Sequence, residues 1–287
     1  MIDFTDCKEL LNVYSGSEVK KRLMYDNKNY LVKFPDPVRE KNKNISYINN
    51  AFSEYVGSHI FELCGFDTQK TILGIFRKND RDKIVCACED FTKPNDKLIE
   101  FGFIALSTST EEKTGTNLDD ILKVIDESNM INSEDTKKRF FDMFIIDALI
   151  GNTDRHNGNW GFIATDIEDG IKFSPIYDCG SCLNPMLEDS ELEKLSDSDI
   201  KNLALNCYSV LKIDDKKINY MNYIESITDD NVNNALLRIL PNIDTDNINS
   251  FIDNIDCMSK IRRDFYKKII GFRYNILKKV YKRLKGD

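Results

Sequence analysis

The sequence is short of what membrane spans, disulfide scaffolds and metal clusters require. No run of about 18 uncharged apolar residues occurs and mean hydropathy is -0.42, which argues against a membrane-spanning helix. The start, MIDFTDCKELL, lacks a basic segment followed by an apolar one, so a cleaved secretory leader is not expected. Eight cysteines among 287 residues are too sparse for a disulfide framework and point to reduced thiols. These absences predict a cytoplasmic protein and do not exclude secretion as an effector. CxxC spacing occurs at Cys179 to Cys182, but zinc would want a second pair and Cys86-x-Cys88 is what the chain offers. There is no Walker A motif, no G-x-G-x-x-G and no internal repeat. Histidine and tryptophan are nearly absent: His59, His156 and Trp160 are the full set.

With 41% apolar residues, a chain of this length can bury one large core or two modest ones, and two lobes are expected. The net charge of -8 hides an asymmetry: residues 260–287 carry a net of +9, leaving -17 on the rest. Within that tail Ile261, Phe265, Ile269, Phe272, Ile276, Val280 and Leu284 recur every three or four positions, predicting a helix with one apolar face and a solvated basic remainder. A nucleic-acid or anionic-lipid surface is the competing reading, and the acidic body argues against nucleic acid.

The first ninety residues read as strands, with KRLMY (21–25), YLVKF (30–34), TILGIF (71–76) and KIVCAC (83–88) set apart by polar turns. One helix interrupts them, with Phe52, Tyr55, Val56, Ile60 and Leu63 as its apolar stripe and Gly65 as its stop; His59 on that stripe reads as a core residue. From about residue 117 the pattern turns helical, with Asn117 and Ser133 as caps. WGFIA and IKFSP are two later strand candidates, and mostly helix is expected from there to the end. The expected class is α+β, with an N-terminal lobe over 1–90 and a helical lobe over 91–287.

The chemistry concentrates in GNTDRHNGNWGF, residues 151–162. Asp154, His156 and the amides of Asn152, Asn157 and Asn159 follow a buried helix and precede a strand, a rigid setting for a carboxylate at the mouth of a cleft. Trp160 reads as core, and His156 as a scaffold bonded to a backbone carbonyl. Asp178, in SPIYD, lies a hairpin's length after Asp154 and could fold back beside it. Phosphoryl transfer needs a carboxylate to orient the attacking hydroxyl, oxygen ligands for magnesium and a cation on the nucleotide phosphates. Asp154, Asn159 and Asp178 supply the first two. Lys33, in an apolar strand, supplies the third; there it needs an anionic partner, either Glu54 or a nucleotide phosphate. Turns also collect Asn, Asp and Gly, so Asp154 and Asn159 alone would fit a capped loop equally well.

Taken in order, these segments resemble the HipA-like serine/threonine kinases. SGSEVK (15–20) is similar to the family's phosphate loop, YLVKFP to its lysine strand, SEYVGSHIFELCGF to its Asn-Glu helix, CEDF (88–91) to the segment joining the lobes, and LIGNTDRHNGN with SPIYD to its catalytic loop and metal motif. The resemblance implies a two-lobed protein-kinase-like fold and an enzyme using ATP and Mg2+ on a Ser or Thr hydroxyl of a protein. It implies Asp154 as general base, Asn159 and Asp178 as magnesium ligands, Lys33 on the phosphates with Glu54 supporting it, Gly16, Ser17 and Lys20 in the phosphate loop, and backbone near Glu89 and Phe91 on adenine. A toxin or effector role with an antitoxin partner, and autophosphorylation, come with the same resemblance; Ser15 and Ser17 lie where such a kinase could modify its own phosphate loop, and plain turn residues are the alternative there. Glu18 stands where the family prefers glutamine, which keeps a nucleotide-binding module without turnover as an alternative; the basic terminal helix does the same for a phosphoinositide kinase.

Overall fold

The computed structural model describes residues 1–11, 20–35, 49–78, 81–108, 115–165 and 171–286. Gly16, Ser17, Glu18 and Ser15 of the expected phosphate loop lie outside the described residues. The architecture is α+β, as expected. Its first part is a six-stranded sheet in the order β1-β5-β6-β4-β3-β2, built from β1 (Ile2–Asp3), β2 (Lys8–Leu10), β3 (Lys20–Tyr25), β4 (Lys28–Lys33), β5 (Thr71–Lys78) and β6 (Arg81–Glu89). All pairings are antiparallel except β1 with β5. Asp26 and Asn27, both at positive φ (48° and 57°), close the β3–β4 hairpin in the turn geometry that suits the right-handed strand twist.

Strand alternation decides what faces the cleft. Val32 and Phe34 of the lysine strand join Phe4, Leu23, Tyr30, Val85 and Ala87 in a small core on one face of the sheet. Lys33, between them, must point to the other face, where α1 (Asn50–Leu63) packs. Gly65, at φ 88°, follows the Cys64 cap of that helix, as the stop signal predicts.

The second part begins with β7 (Lys97–Glu100), α2 (Phe101–Thr108), α3 (Leu118–Glu127) and α4 (Ser133–Ile150). Asn117 caps α3 as expected, but the cap of α4 is Asn132, whose side chain accepts the Asp135 N–H; Ser133 is the first helical residue and bonds Asp126 instead. Both residues suit a cap; the Ser133 hydroxyl is taken by Asp126, and Asn132 receives the third helical N–H at 2.9 Å. β8 (Gly161–Ala164) and β9 (Ile171–Phe173) form a three-stranded sheet with β7.

After α5 (Asp189–Leu192) and α6 (Asp197–Leu205), the mostly helical course expected is interrupted once: β10 (Tyr208–Ile213) and β11 (Lys216–Asn219) make a hairpin closed by Asp214 and Asp215, again both at positive φ. α7 (Tyr220–Ser226), α8 (Asp230–Ile239), α9 (Thr245–Asp253) and α10 (Lys260–Lys285) complete the lobe. Among the described residues no helix is long and apolar enough to cross a membrane.

α10 keeps the expected basic outside, with Lys260, Lys268, Lys278, Lys279, Lys282, Arg283 and Lys285 exposed, but two of its arginines depart from it. Arg262 and Arg273 are buried, while Ile261 is exposed and Phe272, Ile276 and Leu284 are half-buried. Arg262 is bonded to Asp189 and to the Leu187 carbonyl, and Arg273 reaches the carbonyls of Ala204 and Leu149. Lys260, Lys267 and Lys268 pair with Asp264, Asp253 and Asp197. The buried face is therefore rotated toward Tyr266, Ile270, Arg273 and Leu277, because paired arginines can occupy core positions that a count of apolar residues assigns elsewhere.

Candidate active site

Lys33 Nζ lies 2.7 Å from Glu54 Oε2 and 2.6 Å from Asp178 Oδ1. Glu54 is fully buried, and its other oxygen accepts the Cys179 N–H at 3.0 Å. One acid on α1 thus holds both the strand lysine and the backbone just past Asp178. A Cβ on Gly57 would stand 2.7 Å from Cys179 Cβ and 2.9 Å from Cys182 Sγ, so the absence of a side chain there lets α1 approach this closely. Cys179 and Cys182 are buried free thiols, raised by burial, and they pack rather than ligate. Lys20 sits directly across from Lys33 in the β3–β4 register and puts a second ammonium on the same face.

Asp154 and Asn159 come together as expected. α4 ends at Gly151, at φ 66°, whose N–H caps the Asp147 carbonyl. The Asn152 side chain donates to Asp147 and accepts the Asp154 N–H, and Asn159 Nδ2 donates to the Asp154 carbonyl at 2.8 Å. That bond uses the amide nitrogen of Asn159 and leaves its oxygen as the group that could act as a ligand. Burial raises the Asp154 carboxyl, and the charge of Asp178 adds to it against His156, Arg155 and Lys217. Burial also pushes on Asp178, but the Lys33 ammonium, by charge and hydrogen bond, holds it below the ordinary aspartate value. The two carboxylates are driven in opposite directions, Asp154 upward and Asp178 downward.

Sequence reasoning missed Arg155 and Asp147. Both side chains are only 2% exposed, and Arg155 Nε and Nη2 bind the two Asp147 oxygens at 3.0 and 3.1 Å. The remaining donors reach the carbonyls of Asn159 (2.8 Å), Tyr177 and Asp178 (3.4 Å), and Cys179 Sγ. The signal was present: an acid inside the apolar run FFDMFIIDALI has to be paired. His156 corrects an expectation. Its Nδ1 accepts the Gly158 N–H at 3.0 Å instead of donating to a carbonyl, because the tight turn through Gly158 brings an amide, not an oxygen, onto the ring. His59 stacks on Phe251 at 5.0 Å, half-buried, and its pKa is lowered by burial. Trp160 is core, stacked on Phe101.

At the segment joining the lobes, the Glu89 N–H donates to Lys70 and its carbonyl accepts Gln69 Nε2, while its side chain pairs with Lys28. Phe91 makes no backbone hydrogen bond to the described residues, and its ring faces Tyr177 at 5.9 Å. Of the two hinge candidates, Phe91 has the open backbone. Among the described residues no group of three or more His, Cys, Asp or Glu could hold a metal. What remains is an oxygen pair, Asn159 and Asp178, which suits magnesium: that ion takes one or two protein oxygens and fills its shell with water and phosphate.

A curled sheet over a helical lobe, with a lysine held by a helix glutamate in the cleft and an Asp-x(4)-Asn loop facing a later aspartate, defines the class as a protein kinase. The chain belongs to the HipA-like C-terminal domain family, whose model matches residues 11–235. It is 40% identical over 283 residues to the serine/threonine-protein kinase CtkA of Helicobacter pylori strain J99, covering 95% of this chain and 85% of that one. The crystal structure of a Helicobacter pylori proinflammatory kinase CtkA superposes at a TM-score of 0.89 with 39% identity, over 99% of this chain and 98% of that one.

Proposed function

We propose that the protein transfers the γ-phosphate of ATP, with Mg2+, to a serine or threonine hydroxyl of a protein, using residues 1–90 to hold the nucleotide and 91–287 for catalysis. The observation that carries this reading is the Lys33 ammonium shared between Glu54 and Asp178, with the charge of Asp178 acting on Asp154. Glu54, fixed by the Cys179 N–H, keeps Lys33 aimed into the cleft, where its other contact can pass from Asp178 to the α- and β-phosphates. Lys20 adds charge on the same face, and the open backbone of Phe91 suits the adenine edge. Asn159 and Asp178 would hold magnesium, which neutralises charge on the transferring phosphate. Asp154 accepts or orients the hydroxyl proton of the acceptor; burial raises its basicity for that task.

Of the basic residues on the terminal helix, two arginines are buried and Lys260, Lys267 and Lys268 are paired with acids, which leaves the lipid reading to the exposed Lys278, Lys279, Lys282, Arg283 and Lys285 at its end. The deciding experiment incubates purified protein with labelled ATP and Mg2+, first alone and then with a general protein acceptor or phosphoinositide vesicles. Label on Ser or Thr, lost in Asp154→Asn, supports the reading; ATP binding without any transfer overturns it.

A further inference from the structure

We infer that Arg155, clamped by Asp147, is a positioning residue for phosphoryl transfer: it sets the spacing between the loop carrying Asp154 and Asn159 and the segment carrying Asp178. The inference rests on the kinase reading, because that reading gives those three residues their roles.

Arg155 binds main chain rather than side chains on the two functional segments. Its guanidinium reaches the carbonyl of Asn159 on one and the carbonyls of Tyr177 and Asp178 on the other. All three carbonyl bonds leave one nitrogen, Nη1, whose hydrogens are held in the guanidinium plane while Nε and Nη2 are anchored on Asp147; that anchor turns the bonds into a fixed relation between two backbones, which a freely rotating ammonium cannot supply. Asp147 holds the fork with both carboxylate oxygens and through Asn152 Nδ2 also reaches the residue whose oxygen receives the Asp154 N–H. One buried carboxylate on the last turn of α4 thus governs the base through Asn152 and both expected ligand residues through Arg155.

The flanks of the two segments are tied by the Ser174 N–H and hydroxyl on the Gly161 carbonyl and by the Leu183 N–H on the Ile150 carbonyl, which fix their ends and leave the stretch between to fewer bonds among the described residues. Beyond Arg155, the catalytic loop and the segment from Tyr177 to Ser181 are joined by the Tyr177 hydroxyl on the Gly158 carbonyl and by Thr153 on the Ser181 carbonyl at 3.3 to 3.4 Å. A buried ion pair is a poor device for stability alone, since an apolar pair of similar volume does as well or better. Its value here lies in direction.

The test compares the wild type with Arg155→Lys, which keeps the charge and loses the fork, and with Asp147→Leu/Arg155→Met, which removes both charges so that neither is stranded. Two readouts are taken on variants shown to be folded by circular dichroism: Mn2+ affinity in the presence of ADP, by electron paramagnetic resonance, and kcat with KM for ATP. A positioning role predicts Mn2+ affinity or kcat lower by about 10- to 100-fold, the range seen when residues that orient metal ligands are removed, with KM for ATP changed less than about threefold. A folded Arg155→Lys or double variant within about threefold of wild type in both Mn2+ affinity and kcat overturns the inference, even if it melts earlier. If the double variant does not fold, Arg155→Lys decides. A wild type that binds Mn2+ and ADP yet transfers no phosphate sinks the kinase reading and leaves the Mn2+ comparison standing as the test of spacing.

Discussion

Two buried cations reach the same aspartate, Lys33 at its carboxylate and Arg155 at its backbone carbonyl, and they are built differently. Lys33 offers three donors on a flexible stem and holds two carboxylates, one of which, Asp178, is 40% exposed. Arg155 is closed in with Asp147 and spends its donors on that acid, three carbonyls and a thiol. A lysine between a buried anchor and an exposed partner can change partners; an arginine with every direction filled cannot. The first is suited to a phosphate that comes and goes, the second to geometry that must not move.

The sharpest way to break this contrast is at Asp154, whose backbone hangs from the fixed frame while its carboxylate faces the exchangeable one. Asp154→Asn is expected to lower the rate on the order of 10²- to 10⁴-fold while nucleotide binding persists, measured by steady-state phosphorylation beside ATP calorimetry. A near-normal rate would leave Asp154 and Asn159 as turn-forming residues.

Asp178→Asn comes next. It takes charge from the exchangeable partner without changing its shape, and turnover should fall below about a tenth of wild type across a Mg2+ titration. At Lys33 itself, Lys33→Ala should cut ATP use by about tenfold or more and Lys33→Arg should recover little of it, with Glu54→Gln milder. Unchanged ATP affinity and rate in Lys33→Ala would remove the lysine from the phosphate site.

A smaller effect tests the frame from the α10 side. A Cβ on Gly151 would fall 2.4 Å from the Arg273 guanidinium, and the backbone there is left-handed. Gly151→Ala should cost at least about 1–2 kcal/mol by denaturant unfolding, from backbone conformation alone. The smallest effect is in pH. The Asp154 pKa is raised in the folded state, so between its unfolded and folded values the native protein binds more protons, and stability falls as pH rises through that window. Asp154→Asn should therefore melt at or above wild type at neutral pH, the difference vanishing below the ordinary aspartate range of about 4. The acid limb of kcat/KM in the wild type should lie above that range.

Much of this was legible in the residues. The four long strands of the sheet, α1 with its Gly65 stop, the cap of α3 and the amphipathic α10 all follow from period and punctuation, which are local properties. Lys33 was legible as a buried ammonium that needs an anion, with Glu54 one of two candidates; the structure pairs them. The short strands β1, β2 and β7 were not: two to four residues carry too little pattern to be seen without the neighbour that pairs them. Nor was the β10–β11 hairpin, whose Asp214-Asp215 turn looks like ordinary polar surface.

By itself the sequence determined which chemical groups exist and which local elements carry them: a lysine in an apolar strand, an acid on the following helix, a carboxylate and amide after a buried helix, a second carboxylate a hairpin later. Only the tertiary structure decided how those groups are aimed. Arg155 is next to Asp154 in the chain, yet its fork turns to Asp147 and to carbonyls 22 and 23 residues away; Arg262 and Arg273 sit in a helix that reads as basic surface, yet both are core. The physical reason is the same in each case. A charge enters the interior only where partners from distant segments converge on it, and that convergence is a property of the packed fold that spacing along the chain does not carry.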